Sequence, residues 1–173
     1  MSRLFETGGA PHFPPHSTVS TVMLQVLFAL LPAIAAHAWF FGPGILVQIL
    51  LASTFALILE ALMLKARGKP LKLFLGDYSA IVTAVLFALC IPPLAPWWIA
   101  LTGMFFAIVI AKHLYGGLGN NPFNPAMVGY VVVLISFPQA MTAWLPPLSI
   151  AVAPPDLAAT LYVIFTGQPP TGM

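Results

Sequence analysis

Two apolar runs, Thr21 to Phe40 and Ile45 to Leu64, are separated only by the turn at Gly42-Pro43-Gly44. Each matches the about 20 residues that a helix needs to cross a hydrocarbon core of about 30 Å. Backbone polar groups in lipid must be satisfied inside their own segment, so the two runs read as a helical hairpin through a bilayer. The balance of the chain agrees. Hydrophobic residues make up 60% of it and charged residues only 6%, where a soluble domain carries roughly a quarter. So little charge cannot clothe a water-facing surface. The fold class that follows is all-α, a polytopic transmembrane helical bundle, and 173 residues leave room for about five spans.

Residues 1–20 are polar and proline-rich, with Pro11, Pro14 and Pro15, and read as a cytoplasmic lead-in. Arg3, Glu6 and the absence of an early apolar stretch distinguish them from a signal peptide. Ser17, Thr18 and Ser20 offer capping oxygens to the first helix. Pro32 is expected to kink that helix, and Trp39, Phe40 and Phe41 suit an interfacial aromatic belt. A third, short span runs from Tyr78 to Ile91, and a fourth from Trp98 to about Lys112. A fifth, Ala126 to Trp144, bends at Pro138. The transmembrane domain is thus residues 21–145. Residues 146–173 form an outer, periplasmic loop in which Asp156 caps a short helix through about Phe165. The ending Gly-Gln-Pro-Pro-Thr-Gly-Met reads as that of a truncated chain.

Four of the six basic residues, Lys65, Arg67, Lys69 and Lys72, share the loop after the second span. The excess of Lys and Arg in short loops marks the cytoplasmic side, so the N-terminus is also expected there, as is Lys112. Glu60, one turn before this loop, reads either as a snorkelling partner of Lys65 or Arg67 or as an intramembrane acid on an ion path. Asp77 is open to two readings as well, an N-cap of the third span or an ion-path residue. No basic tract interleaved with exposed aromatics speaks for nucleic acid. Cys90 reads as a small buried hydrophobe, and His37 as a hydrogen-bonded interior histidine.

Between the fourth and fifth spans lies a segment that does not read as helix. Gly116, Gly117, Gly119, Asn120, Asn121, Pro122, Asn124 and Pro125 follow one another within ten positions. Glycine admits positive φ and close approach, asparagine supplies donors and acceptors together, and the prolines oppose a continuous helix. Irregular backbone at membrane depth is tolerated when it is buried in protein or lines a cavity. The segment is therefore a broken, re-entrant-like polar stretch. Asn121 and Asn124, three positions apart, can address one edge of a planar heterocycle. An ordinary turn-rich loop is the other reading. Lys112 flanks the segment as an interfacial anchor or as a cation near a bound ligand.

At this segment the chain resembles the RnfD family of Rnf ion-translocating electron-transport complexes, over its N-terminal half. More distantly it is similar to the related membrane subunit of the sodium-translocating NADH:quinone reductase. The resemblance is carried, in order, by Trp39-Phe-Phe-Gly, Val47-Gln-Ile-Leu-Leu-Ala-Ser and Ile91-Pro-Pro-Leu-Ala-Pro-Trp-Trp, then by Ala111-Lys-His-Leu-Tyr-Gly-Gly-Leu-Gly, Asn121-Pro-Phe-Asn-Pro-Ala-Met and Leu134-Ile-Ser-Phe-Pro. It implies a flavin-binding subunit of a redox-driven ion-translocating complex in a bacterial inner membrane, assembled with the other subunits of that complex. Electron transfer between NADH and ferredoxin would be coupled to sodium or proton movement. It further implies riboflavin held non-covalently at Asn121 and Asn124, with Lys112, Gly116, Gly117, Gly119 and Phe123 around it. The FMN that the family carries on a threonine finds no matching motif at Thr160, Thr166 or Thr171, so that attachment is expected beyond this chain. Half of a broken-helix solute transporter, and a structural scaffold, are the alternative function classes, and catalysis by this chain alone is not expected.

Overall fold

The computed structural model describes residues 18–151 and 155–168. The lead-in prolines, Ser17, Pro154 and Thr171 lie outside them. Among the described residues every regular element is helical. Helix α1 spans Val19–Phe41 and α2 Gly44–Ala66, the two long apolar helices able by length and composition to cross a membrane. Helix α3 is the single turn Leu71–Leu75, α4 is Ser79–Cys90, and α5 is Trp97–Met104. The last continues without a break as a π-helical segment, Phe105–His113. Helices α6 (Pro125–Ser136), α7 (Pro138–Thr142) and α8 (Leu157–Thr166) complete the chain.

The ends follow from local chemistry. Thr18 caps α1 by accepting from the Thr21 amide at 3.3 Å, and the helix then runs through Pro32. Asp156 caps α8 through the Ala159 amide at 2.7 Å. The expected fifth span is two helices, because the backbone turns at Phe137 (φ −135°, ψ 56°) before Pro138 starts α7. A residue preceding proline is driven out of the helical region in this way by the proline ring. The short helix α3 lies in what reads as a plain basic loop. Its single turn is too brief for hydropathy periodicity to register.

Helix α2 is the centre of the bundle, packed on α4, α5 and the π segment, with α1, α3 and α8 around it. Apart from Ile45, its buried residues recur every fourth position: Gly44, Gln48, Ala52, Ala56, Glu60 and Leu64. Such a row winds slowly around a helix and forms a packing ridge. Its small members let neighbouring backbones come close, the usual basis of association where lipid is as apolar as leucine. Ala84, Phe87, Ala88, Ile99, Met104, Ala107, Ile108 and Val133 fill the core against it. Helix α1, by contrast, buries no residue and leaves Phe28 67% and Trp39 79% exposed. That surface suits lipid rather than water.

At the proline-rich end, α2 is fastened to the 92–96 turn. Gln48 is fully buried and its Nε2 donates to the carbonyls of Ala95 (2.6 Å) and Pro93 (3.3 Å). His37 packs its ring against Phe41 and Trp144 and has no hydrogen-bond partner on either nitrogen, in contrast to the bonded histidine expected. Cys90, expected to be buried, is partly exposed at the end of α4.

The tightest helix contact is between α5 and its neighbours. A Cβ on Gly103 would run into the Phe87 ring of α4, and one on Gly129 of α6 would run into the Gly103 carbonyl. Gly103→Ala therefore forces the Phe87 ring or α5 to move, and overpacking of this kind costs about 1–3 kcal/mol. Thermal unfolding of the detergent-solubilised protein is expected to show a clearly lowered midpoint for Gly103→Ala. Leu50→Ala, on the exposed side of α2, supplies the comparison.

Candidate functional site

The expected polar segment, residues 114–124, is not regular helix and closes the basic end of the bundle. Three of its glycines take positive φ: Gly116 at 114°, Gly117 at 110° and Gly119 at 87°. Side chains resist this region, which explains the glycine cluster. Asn124 caps α6, its Oδ1 accepting from the Ala126 amide at 2.9 Å. Asn121 folds onto the same turn, its Nδ2 donating to the Phe123 carbonyl at 2.7 Å.

Beneath the segment lies a buried charge network that local sequence does not announce. Lys112 Nζ donates to Glu60 Oε1 at 2.8 Å, across 52 positions of chain, and to Ser79 Oγ at 2.8 Å. The side chains of Lys112 and Glu60 are 3% and 2% exposed. Ser79 in turn donates through both Oγ (2.6 Å) and its backbone amide (2.8 Å) to Asp77 Oδ1. On the other flank, His113 Nε2 stands 3.1 Å from Glu60 Oε2. This is close enough for charge interaction, but neither atom has an aligned hydrogen bond. Arg67 Nη1 donates to the His113 carbonyl at 3.0 Å and stands 3.5 Å from its Nδ1.

These contacts correct three expectations. Glu60 does not snorkel to Lys65 or Arg67; it turns inward to Lys112 and His113. Lys112 is not an interfacial anchor; it is buried. Asp77 is not itself the N-cap. That position is Tyr78, whose φ of 62° is the one positive value among the described non-glycine residues. Left-handed backbone costs about 1–2 kcal/mol for such a residue, and it lies between Asp77 and the Ser79 amide that Asp77 accepts from. The π segment matters too. Its i→i+5 bonding widens the turn, so consecutive side chains diverge less than in an α-helix, and both Lys112 and His113 meet Glu60.

Two cavities adjoin the pair. A cleft of 360 Å³ is lined by Glu60, Asp77, Lys112, His113, Gly116 and Gly117, with Lys69 at its edge. A smaller cavity of 210 Å³ is lined by Lys112, Ser79, Asn121 and Asn124, with Thr83 and Pro125. Lys112 and Leu118 belong to both. The structure thus brings Lys112, Asn121 and Asn124 together and sets Gly116 and Gly117, with Glu60 and Asp77, on the other side. Phe123 stands apart, 68% exposed over an apolar hollow beside Tyr115 and Met127. Gly119 lines neither cavity. The sequence does not mark Ser79 and His113 as partners of these charges. Their only sequence signal is nearness to Asp77 and Lys112.

A lipid-suited bundle of apolar helices, closed at one end by a broken polar segment over a buried ion pair, defines a membrane protein with a polar site at the helix ends. Residues 6–168 match the NQR2, RnfD, RnfE family, and the chain belongs to it. It is 54% identical over 169 residues to the D subunit of the ion-translocating oxidoreductase complex of Salmonella typhimurium and to that of Escherichia fergusonii. In both comparisons 98% of this chain is covered but only 48% of the relative, so the chain spans about half the length of the curated relatives it matches.

The pair makes a direct energetic prediction. Lys112→Met strands the Glu60 carboxylate without its cation, and breaking a buried pair from one side costs about 3–5 kcal/mol. Replacing both partners, as in Glu60→Leu with Lys112→Met, removes the stranded charge and is expected to restore most of that loss. Chemical unfolding of the four proteins in a double-mutant cycle checks this. Additive losses would deny the interaction.

Proposed function

We propose that this chain is the flavin-binding part of a membrane subunit in a redox-driven ion-translocating complex of a bacterial inner membrane. In this reading the complex moves electrons between NADH and ferredoxin and couples them to sodium or proton transport. The basic end faces the cytoplasm, as the clustering of Lys65, Arg67, Lys69 and Lys72 supports. Family membership and the name carried by the relatives support the complex as a whole. The remaining subunits are its partners, and the chain is not catalytic alone.

The observation that carries the flavin assignment is the donor set of the asparagine cavity. Lysine has three ammonium protons. Two are engaged, by Glu60 and Ser79, and the side chain also lines the cavity. Asn121 retains its carbonyl oxygen, and Asn124 retains its amide N–H groups, because their other functions are taken by the turn. Acceptors and donors so placed match the alternating carbonyl and N–H edge of an isoalloxazine ring. At 210 Å³ the cavity is smaller than the usual 300–1,000 Å³ of a ligand pocket. It takes the ring edge, and the rest of non-covalent riboflavin needs the adjoining cleft past Leu118 or a neighbouring chain. Flavin supplies reversible electron storage; the protein's residues bind it, orient it and bias its charge states.

A second reading seats the ring wholly in the 360 Å³ cleft, against Gly116 and Gly117, since that volume alone suffices. The test separates the two. In the full-length protein purified within its complex, Asn121→Ala is combined with Asn124→Ser, which keeps a capping oxygen. Two neutral hydrogen bonds at about 1 kcal/mol each amount to roughly 30-fold weaker retention. Riboflavin released on denaturation should fall accordingly while the complex stays assembled. Undiminished riboflavin moves the ring to the cleft, and a native complex that releases no riboflavin ends the proposal.

A further inference from the structure

We propose that Lys112 is a positioning residue that relays the charge of the asparagine cavity to Glu60. This rests on the flavin reading above and adds a mechanism to it. Lys112 is the one ion both cavities share among the described residues, and it stands between Glu60 and the cavity of Asn121 and Asn124. An ammonium out of water interacts with whichever negative charge is nearest. In the structure Glu60 has that ammonium at 2.8 Å. When negative charge arrives in the cavity, the ammonium must be divided between two anions, and the carboxylate loses part of its counter-charge. A buried carboxylate without a paired cation is neutralised by taking up a proton.

Among the described residues Lys112 and His113 are the basic side chains within ion-pair distance of Glu60. From the π segment it meets Lys112 and His113, and the His113 N–H is not aligned with Oε2. From α4 and the turn before it come Ser79, whose hydroxyl proton points to Asp77, and Asp77 itself, a second negative charge on the cleft. Lys69 lies on the cleft too but stacks on the Phe74 ring at 5.1 Å, and Arg67 is turned to the His113 carbonyl. Helix α3 lends the cleft Leu73 and Phe74. Helices α1, α5 and α8 contain no lysine, arginine or carboxylate, and His37 of α1 is packed at the other end of the bundle. The proton therefore comes from water through the cleft that Glu60 lines. The balance is one electron from an added reductant into the cavity's occupant and one proton onto a Glu60 oxygen.

The test uses the full-length protein in its complex, treated with dicyclohexylcarbodiimide, which adds to protonated carboxyls in apolar surroundings and leaves a mass tag. Labelling of the Glu60 peptide is read by mass spectrometry in the oxidised state and after dithionite, with flavin bleaching followed in the same sample. In the native protein labelling is expected to rise by roughly tenfold or more on reduction. In Lys112→Met it should be high in both states. Lys112→Arg, which keeps the cation and guards against a folding defect, should retain the dependence, and Glu60→Gln should abolish the tag. Flavin that bleaches while native labelling stays constant, or Lys112→Met labelling as low as the oxidised native protein, overturns the relay and leaves the flavin site standing. A complex that releases no riboflavin on denaturation overturns both.

Discussion

A carboxylate and an ammonium 2.8 Å apart, each almost wholly removed from water, constrain the structure more than any other contact. Taking two such ions out of water costs several kcal/mol apiece, and attraction offsets it only where geometry is good and the remaining valences are filled. The geometry is good and Ser79 takes a second proton of the ammonium, while Glu60 Oε2 has only the His113 ring at 3.1 Å. Glu60 comes from the last turns of α2, Lys112 from the π segment, and Ser79 from the first residue of α4. One polar contact thus sets the relative height of three helices. The features that look odd in isolation serve this junction. They are the left-handed Tyr78, the π-helical widening, and the glycines that let the chain leave the helix just after His113.

The opposite end of α2 is held by a different kind of bond. Gln48 is uncharged, and it clasps two carbonyls of the proline turn while its own oxygen has no partner. Between Gln48 and Glu60 the ridge is alanine. Packing there is close and featureless, so specificity of register rests on the polar residues at the two ends. This matches the general pattern of helix association in lipid, where small residues give proximity and sparse polar groups give direction.

Much of the scaffold is legible in the chain. The hairpin at Gly42-Pro43-Gly44, the caps at Thr18 and Asp156, the short third span and the irregular 114–124 segment all follow from hydropathy and turn chemistry, because those signals are local. The site is half legible. Glycines and asparagines mark where the backbone opens, but Glu60 reads naturally toward the lysines that follow it, and its partner is 52 positions away. No periodicity encodes such a meeting. Phe123 illustrates the converse. It lies between the two asparagines in sequence, yet the turn aims it outward while they line a cavity. The split of the fifth span at Phe137 belongs to the same class, since Pro138 signals a bend but not a full stop.

The every-fourth-residue row on α2 has one more implication, for how such a helix can vary. Substitution along the lipid-facing side leaves the row untouched, and even alanine-to-glycine exchanges within it keep its phase. A single inserted or deleted residue between Gln48 and Glu60 is different. It would swing everything beyond it by about 100° around the axis, carrying the carboxylate away from Lys112 while Gln48 stayed clasped. The stretch joining these two side chains is therefore held to small residues on its packed row, free on its lipid side and fixed in length, a measuring rod between the two ends of the bundle.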